Sequence, residues 1–212
     1  MENIQVLLVD DHEVVRAGYR RLFESTDDIQ VVAEAIDGEG AYQLYVECRP
    51  TVVVMDLTMP GIGGLDASRR ILSRDRNARI LVFSVHENEV FLSRAMNLGI
   101  LGYISKRNAS RVMIEAVRRV ARGEVFIGQE MMPHLLQCKQ SADGERLAGL
   151  SPREFEVFRL RADGKSVNEI AKLLNVSPKT VGHHHTSVKQ KLGAANSAEL
   201  TRLAIRLGII PP

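Results

Sequence analysis

Five short apolar runs alternate with amphipathic segments over the first part of the chain. The runs cover residues 4–9, 30–35, 51–56, 79–84 and 102–105. Segments with helical spacing follow them at residues 12–25, 38–48, 65–73, 87–98 and 109–122. Because parallel strands are joined by crossover connections that are usually helices, this alternation predicts an α/β fold built on a five-stranded, doubly wound parallel sheet.

Polar side chains lie at or just past the ends of four of these runs. They are Asp10, Asp11, Asp56, Ser84 and Lys106. Ligands of open parallel sheets bind at the carboxyl ends of the strands, so these residues are expected to converge. Three carboxylates, a hydroxyl and an ammonium suit a Mg²⁺ ion beside a phosphoryl group. A carboxylate can attack such a group and form an aspartyl phosphate, while the cation and the lysine neutralise the developing charge.

Beyond Leu150 the pattern is helical throughout. Four helices are expected, at residues 152–162, 167–174, 178–192 and 197–207. Ser151 with Glu154, and Ser166 with Glu169, have the spacing of capping boxes. A short helix, a tight turn and a longer helix within a basic segment are typical of a helix-turn-helix unit, which places its second helix in the major groove of DNA.

One face of the segment at 178–192 is expected to pack and the opposite face to contact DNA. At 100° per residue, the packed face contains Val181, His184, His185, Val188 and Leu192. The opposite face contains Lys179, Gly182, His183, Thr186 and Gln190, with Lys189 at its edge. Glutamine can pair with adenine and a threonine methyl can touch a thymine methyl, whereas lysines more often contact phosphate. Gly182 can contact a base only through its backbone. The three consecutive histidines diverge by 100° each, so a metal site there is not expected.

The two parts of the chain differ in charge. Residues 1–145 contain 17 Lys and Arg against 21 Asp and Glu, whereas residues 146–212 contain 11 against 5. An acidic part suits a metal or phosphoryl site, and a basic part suits a polyanionic partner.

No apolar run approaches the roughly 20 residues of a membrane span, no signal peptide is visible, and two cysteines do not make a disulfide framework. A cytoplasmic protein without a membrane partner is therefore expected.

The segments LLVDDH, VVMDLTMPGIGGLD, VFSVHE and GYISK resemble the receiver domain of two-component response regulators, over residues 4 to 122. That resemblance implies a flavodoxin-like fold and a sensor histidine kinase that donates phosphate to Asp56. It further implies that Asp10, Asp11 and Asp56 hold Mg²⁺, with Asp11 and the backbone carbonyl of Thr58 as direct ligands. Lys106 would contact the phosphoryl group.

The same resemblance implies roles for residues around this centre. Ser84 and Tyr103 would be the switch pair, the hydroxyl moving toward the phosphate and the ring turning inward. Thr58 and His86 would tune the lifetime of the phosphate. Many receivers have proline after the lysine, often with a cis bond, whereas this chain has Arg107. A non-proline cis bond costs roughly 2.5–4 kcal/mol, so a trans bond is expected here.

The segment LSPREFEVFRLRADGKSVNEIAKLLNVSPKTVGHHHTSVKQKL resembles the LuxR/FixJ-type helix-turn-helix. Joined to a receiver, it identifies the chain as a member of the NarL/FixJ family of response regulators, and the tail ELTRLAIRLGII is similar to the GacA/UvrY-like subgroup. The resemblance implies recognition positions at Gly182, His183 and Thr186. The full set of expected DNA-binding residues is Lys179, Thr180, Gly182, His183, Thr186, Lys189, Gln190 and Lys191.

These observations predict a receiver domain at 1–122, a linker with a short helix at 123–148, and an all-α, four-helix LuxR-type DNA-binding domain at 149–212. The expected function is a phosphorylation-controlled transcription regulator that forms a homodimer when phosphorylated or bound to double-stranded DNA. It would be no enzyme beyond phosphotransfer to Asp56 and autodephosphorylation there. Control through protein contacts without phosphorylation is an alternative. A phosphohydrolase of the haloacid-dehalogenase type is disfavoured, because its nucleophile lies in an Asp-x-Asp motif after the first strand.

Overall fold

The computed structural model describes residues 3–133, 146–147 and 149–210. These residues divide into two compact units, a sheet-based unit and a helical unit. Among the described helices, none combines the length and the hydropathy that crossing a membrane requires.

The first unit is a parallel sheet with helical crossovers. Its strands are β1 (Ile4–Val9), β2 (Ile29–Ala35), β3 (Val52–Met55), β4 (Ile80–Ser84), β5 (Gly102–Ser105) and β6 (Phe126–Ile127). Their order is β2-β1-β3-β4-β5-β6, and every neighbouring pair is parallel. The connecting helices are α1 (Glu13–Glu24), α2 (Gly38–Cys48), α3 (Gly64–Arg74), α4 (Glu89–Asn97) and α5 (Ala109–Ala121). The predicted doubly wound α/β fold is confirmed.

The sheet has six strands rather than the predicted five. β6 pairs with β5 through Gly102–Phe126 and Tyr103–Ile127, and it lies inside the segment predicted as a linker at 123–148. A 3₁₀ helix at Gln129–Met131 follows, and Met131 is fully buried. A two-residue strand is too short to show a period in the sequence, which is why the prediction missed it. The short helix that the sequence predicts in this linker, at residues 131–137, lies mostly outside the described residues.

The central strands are buried on both faces. The four residues of β3 and the last four of β1 have no exposed surface, so the apolar runs reflect helices above and below the sheet. α1 and α5 contribute Phe23, Met113 and Val117 to the core on one face. This burial fixes the strands rigidly, and it delivers the residues that follow them to one edge of the sheet.

Gly64 shapes the connection after β3. A Cβ atom at Gly64 would lie 1.9 Å from the carbonyl oxygen of Asp56, so no larger side chain fits while this backbone contact is kept. The Gly64 N–H donates to the carbonyl of Leu57 at 3.1 Å. The glycine therefore lets the start of α3 approach the backbone of Asp56 and hold it in place.

Among the described residues, the second unit has four helices. They are α6 (Pro152–Ala162), α7 (Val167–Leu173), α8 (Pro178–Leu192) and α9 (Ser197–Arg206). Both capping boxes are present, since Ser151 and Ser166 accept from the third helical residue and Glu154 and Glu169 bond back. A cluster of buried apolar residues joins the first three helices: Val157, Leu160, Ile170, Ala171, Leu174 and Val181.

Glu154 ties α6 to α8 as well as capping α6. Its carboxylate is 8% exposed and accepts from Lys191 Nζ at 2.7 Å, from Ser187 Oγ and from the Ser151 N–H at 2.7 Å. Burial alone would raise the pKa of Glu154, but the bonds from Lys191, Ser187 and Ser151 lower it to about 2. A group whose pKa is lowered on folding stabilises the fold above its ordinary pKa and loses that contribution as the pH falls toward the lowered value.

Glu154→Gln should therefore reduce the free energy of unfolding of the helical unit by about 2 kcal/mol near neutral pH. The difference between variant and wild type should shrink as the pH falls from 4.5 toward about 2. Urea unfolding read by hydrogen exchange in α8 measures both effects. Glu169→Gln is the matched control, because Glu169 makes the same capping box but is exposed, and its loss should be smaller. Equal losses for the two variants would contradict the role of Glu154 between helices.

Candidate functional site

Three backbone hydrogen bonds hold the strand-end residues in register past the ends of their strands. The Asp10 N–H donates to Ala35 O at 3.1 Å, that of Asp56 to Val9 O at 2.9 Å, and that of Lys106 to Ser84 O at 2.8 Å. Asp10 and Asp56 are buried, at 0% and 1% exposure. The sheet thus brings the predicted residues together at its carboxyl edge.

Lys106 bridges the two buried carboxylates. Its Nζ lies 2.6 Å from Asp10 Oδ2 and 2.8 Å from Asp56 Oδ2, and 4.8 Å from the centre of the Phe83 ring. Burial raises the pKa of Asp56 to about 6, although Lys106 acts in the opposite direction. Burial alone would lower the pKa of Lys106, but Asp56 and Asp10 raise it above its ordinary value. The ammonium therefore stays charged, and it is the cation that allows two carboxylates to be buried side by side.

The same carboxylates form a group that fits a divalent cation. One ligand atom from each of Asp10, Asp11, His12 and Asp56 lies within 4.8 Å of the others. Asp11 Oδ1 is buried and accepts no hydrogen bond from the described residues, although His12 Nδ1 lies 2.8 Å away. Three neighbouring carboxylates, two of which contact Lys106, offer the kind of oxygen ligands that Mg²⁺ takes.

The sequence prediction did not include His12 in this group. Its N–H and its Nδ1 contact Asp10 Oδ1 at 2.7 and 3.1 Å, and its backbone forms the N-cap of α1. His12 directly follows two acidic residues and caps α1, so its side chain lies close to the end of β1. This position in the sequence was the available signal.

Thr58 and His86 meet across the mouth of the site. The Thr58 N–H donates to Asp56 Oδ1 at 3.3 Å, and Thr58 Oγ1 lies 3.0 Å from His86 Nε2. The two residues named together from the resemblance are therefore in contact beside the buried carboxylate. The structure also has no cis peptide bond among its described residues, so the bond before Arg107 is trans as expected.

Ser84 and Tyr103 are connected through the backbone of His86. The His86 N–H donates to Ser84 Oγ at 3.1 Å, and the Tyr103 hydroxyl donates to His86 O at 2.7 Å. Ser84 and Tyr103 are both fully buried, and burial raises the pKa of the Tyr103 hydroxyl. A shift of Ser84 would thus be transmitted to the tyrosine through one residue.

The second unit exposes the expected face of α8. Val181, Val188 and Leu192 are buried, and His184 and His185 are half-buried, which lowers the pKa of both histidines. On the other side, exposed residues are Lys179, His183, Thr186, Gln190 and Lys191, and partly exposed residues are Thr180, Gly182 and Lys189. The predicted division of the helix into a packed and an open face is therefore observed.

Hydrogen bonds within the unit constrain three of the residues predicted to bind DNA. The Thr180 N–H donates to the N-cap hydroxyl of Ser177, and Thr186 Oγ1 donates to Gly182 O at 3.0 Å. Lys191 directs its ammonium to Glu154. A Cβ atom at Gly182 would meet nothing within 4 Å, so packing does not require glycine there. The open face of α8 therefore lacks a side chain at Gly182.

Comparisons with known proteins give a family for each of the two units. Residues 6–118 match the response regulator receiver domain, and residues 148–204 match the LuxR family of bacterial regulatory proteins. Fold and site together define a receiver domain joined to a LuxR-type DNA-binding domain.

Full-length relatives define the family more closely. The chain is 39% identical to the response regulator UvrY of Escherichia coli K12 over 208 residues, covering 97% of this chain and 95% of that protein. It is 35% identical to the response regulator GacA of Pseudomonas aeruginosa over 209 residues, covering 98% of each. A structure of two RcsB dimers bound to two parallel DNAs is similar at a TM-score of 0.62 and 31% identity, covering 95% of this chain and 98% of that one. The chain belongs to the GacA/UvrY-like branch of the NarL/FixJ response regulators, which are DNA-binding transcription regulators.

Proposed function

We propose that phosphorylation of Asp56 by a sensor histidine kinase controls DNA binding by the helical unit. The observation that carries this proposal is the cluster of Asp10, Asp11 and Asp56 at the carboxyl edge of the sheet, in which Asp10 and Asp56 contact Lys106. A purely structural cluster would be expected to balance its charges, whereas this one sets three aspartates against the ammonium of Lys106 and retains excess negative charge.

The residues of the site have separate roles in phosphoryl transfer. An oxygen of Asp56 attacks the phosphorus of the donor, so that an O–P bond forms as the donor's bond to phosphorus breaks. Lys106 already contacts Asp56, and its ammonium stabilises the phosphoryl oxygens as charge develops. Asp10, Asp11, Asp56 and the Thr58 carbonyl would hold Mg²⁺, which supplies further neutralisation of that charge.

The conformational response to phosphorylation begins at Ser84. A phosphoryl group on Asp56 offers oxygens that accept a hydrogen bond from the Ser84 hydroxyl, whose Oγ itself accepts from the His86 N–H. The His86 carbonyl also accepts from the Tyr103 hydroxyl. A movement of Ser84 would therefore shift the loop after β4 and the Tyr103 ring together. Phosphorylation would thus shift an existing equilibrium between two arrangements of this loop. The Thr58–His86 contact at the mouth of the site would control water access, and hence the lifetime of the phosphate.

At the DNA, the open face of α8 would enter the major groove. Lys179 and Lys189 supply phosphate contacts, while His183, Thr186 and Gln190 read base edges, with Thr180 and the Gly182 backbone beside them. Lys191 is bonded to Glu154, so it contributes mainly to the fold of the unit. Symmetric half-sites call for a homodimer, which is the state of RcsB in its complex with DNA.

We place the receiver domain at residues 1–132, since it includes β6 and the following 3₁₀ helix, and the DNA-binding domain at 149–212. A cytoplasmic location fits these partners. Control without phosphorylation remains the competing mechanism, and the retained acidic cluster argues against it.

Acetyl phosphate with Mg²⁺ should add one phosphoryl group to the wild-type chain, seen by intact-mass spectrometry. Asp56→Ala should abolish that addition and its effect on DNA affinity, because the attacking carboxylate is removed. Asp27→Ala is a suitable control, since Asp27 is an exposed aspartate that precedes β2 at the opposite edge of the sheet. Modification that persists in the Asp56 variant would refute the assignment. Full gene control by that variant would favour the mechanism through protein contacts.

Lys179→Ala and Lys189→Ala should weaken binding to all DNA sequences about equally. Each should make the negative slope of log K against log salt less steep by about 1. Fluorescence anisotropy at several salt concentrations measures this, with Lys165→Ala as the control because Lys165 lies outside α8. His183→Ala should instead change the sequences recovered in a binding selection. Recovery of the wild-type sequence set by that variant would exclude His183 from base readout.

A further inference from the structure

We propose that Glu87 positions Lys106 for phosphoryl transfer by binding the residue on each side of it. This inference depends on the proposed transfer to Asp56. Glu87 lies in the loop after β4, three residues beyond Ser84, whereas Lys106 lies in the turn after β5. One carboxylate therefore joins the two loops that carry Ser84 and Lys106.

The carboxylate of Glu87 uses one oxygen for each neighbour of Lys106. Oε1 accepts a hydrogen bond from Ser105 Oγ, and Oε2 accepts from Arg107 Nη1 at 3.2 Å. Ser105 is fully buried, so its bond is shielded from water, whereas the Arg107 side chain is 80% exposed. The Ser105 contact is thus expected to be the stronger of the two.

Further bonds turn this contact into a closed network around the turn. Ser105 Oγ also accepts the Arg107 N–H at 3.2 Å, and the Ser105 N–H donates to Glu130 Oε1 at 3.1 Å. A proline after the lysine would limit the backbone through its ring, since proline has a fixed φ. This chain has Arg107 at that position, and hydrogen bonds to Glu87 and Glu130 provide the restraint instead.

The restraint on the turn also fixes the position of the Lys106 ammonium. The Lys106 N–H is fixed to Ser84 O at 2.8 Å, and the side chain passes over the Phe83 ring to place Nζ 2.6 Å from Asp10 and 2.8 Å from Asp56. Small displacements of a group that stabilises a transition state reduce rates steeply. Loss of the Glu87 contact should therefore impair transfer even though Glu87 itself touches no reacting atom.

Phosphorylation of the full chain by acetyl phosphate tests this role. Glu87→Ala should lower the rate constant at saturating acetyl phosphate about 10-fold, a loss that corresponds to misplacement of one charged group. Glu87→Gln keeps an acceptor for Ser105 and should recover most of the rate. Arg107→Ala removes only the exposed contact and should have a small effect. Glu115→Ala, an exposed glutamate on α5, is the matched control and should match wild type.

A double-mutant cycle with Lys106→Ala separates positioning from general damage to the fold. If Glu87 acts through the lysine, Glu87→Ala should slow transfer in the wild-type background and have no further effect once the ammonium is gone. Equal slowing in both backgrounds would overturn the proposal. Ser105→Ala, which removes the buried partner of Glu87 and keeps its carboxylate, gives the same comparison if the Glu87→Ala variant melts early. No phosphorylation of the wild-type chain would instead overturn the proposed function.

Discussion

The structure depends on burying carboxylates at the carboxyl edge of the sheet against one ammonium. Asp10 and Asp56 are removed from water by the strands that precede them, and Lys106 bridges both. With all groups ionised, the three aspartates and the lysine leave negative charge in excess. A buried charge without a partner is costly, so this edge is suited to bind a divalent cation and then a phosphoryl group. Ser84, at the end of the neighbouring strand β4, and Tyr103 both bond to the backbone of His86.

The helical unit uses the same kind of contact for a different purpose. Glu154 is also a buried carboxylate beside a lysine, but it accepts from Lys191, Ser187 and the Ser151 backbone, and its pKa is lowered to about 2. Asp56 has fewer donors, and burial raises its pKa to about 6. Burial outweighs the few donors at Asp56 and raises its pKa, whereas the additional donors at Glu154 outweigh burial and lower its pKa.

Much of this arrangement was predictable from the sequence, because apolar runs identify the strands and the residues that follow parallel strands must share one edge. Helical spacing likewise identified the open face of α8. Contacts that depend on tertiary structure were not predictable. β6 is too short to show a period, and His12 reaches the acidic cluster through a helix cap. Glu87 meets Ser105 only because β4 and β5 are neighbours in the sheet. Lys191 is a basic residue of the kind that contacts DNA, but its ammonium binds the carboxylate of Glu154.

The most direct test of the account is the free energy of unfolding of the receiver unit with and without Mg²⁺, in the wild-type chain and in Asp11→Asn. Binding to the folded state alone stabilises by RT ln(1 + [L]/Kd), about 2.7 kcal/mol at 100 times Kd. The account predicts that Mg²⁺ stabilises the wild type, and that without Mg²⁺ the variant is the more stable of the two because one like charge is gone. Stability that is independent of Mg²⁺ in the wild type, together with a variant no more stable than wild type, would contradict it.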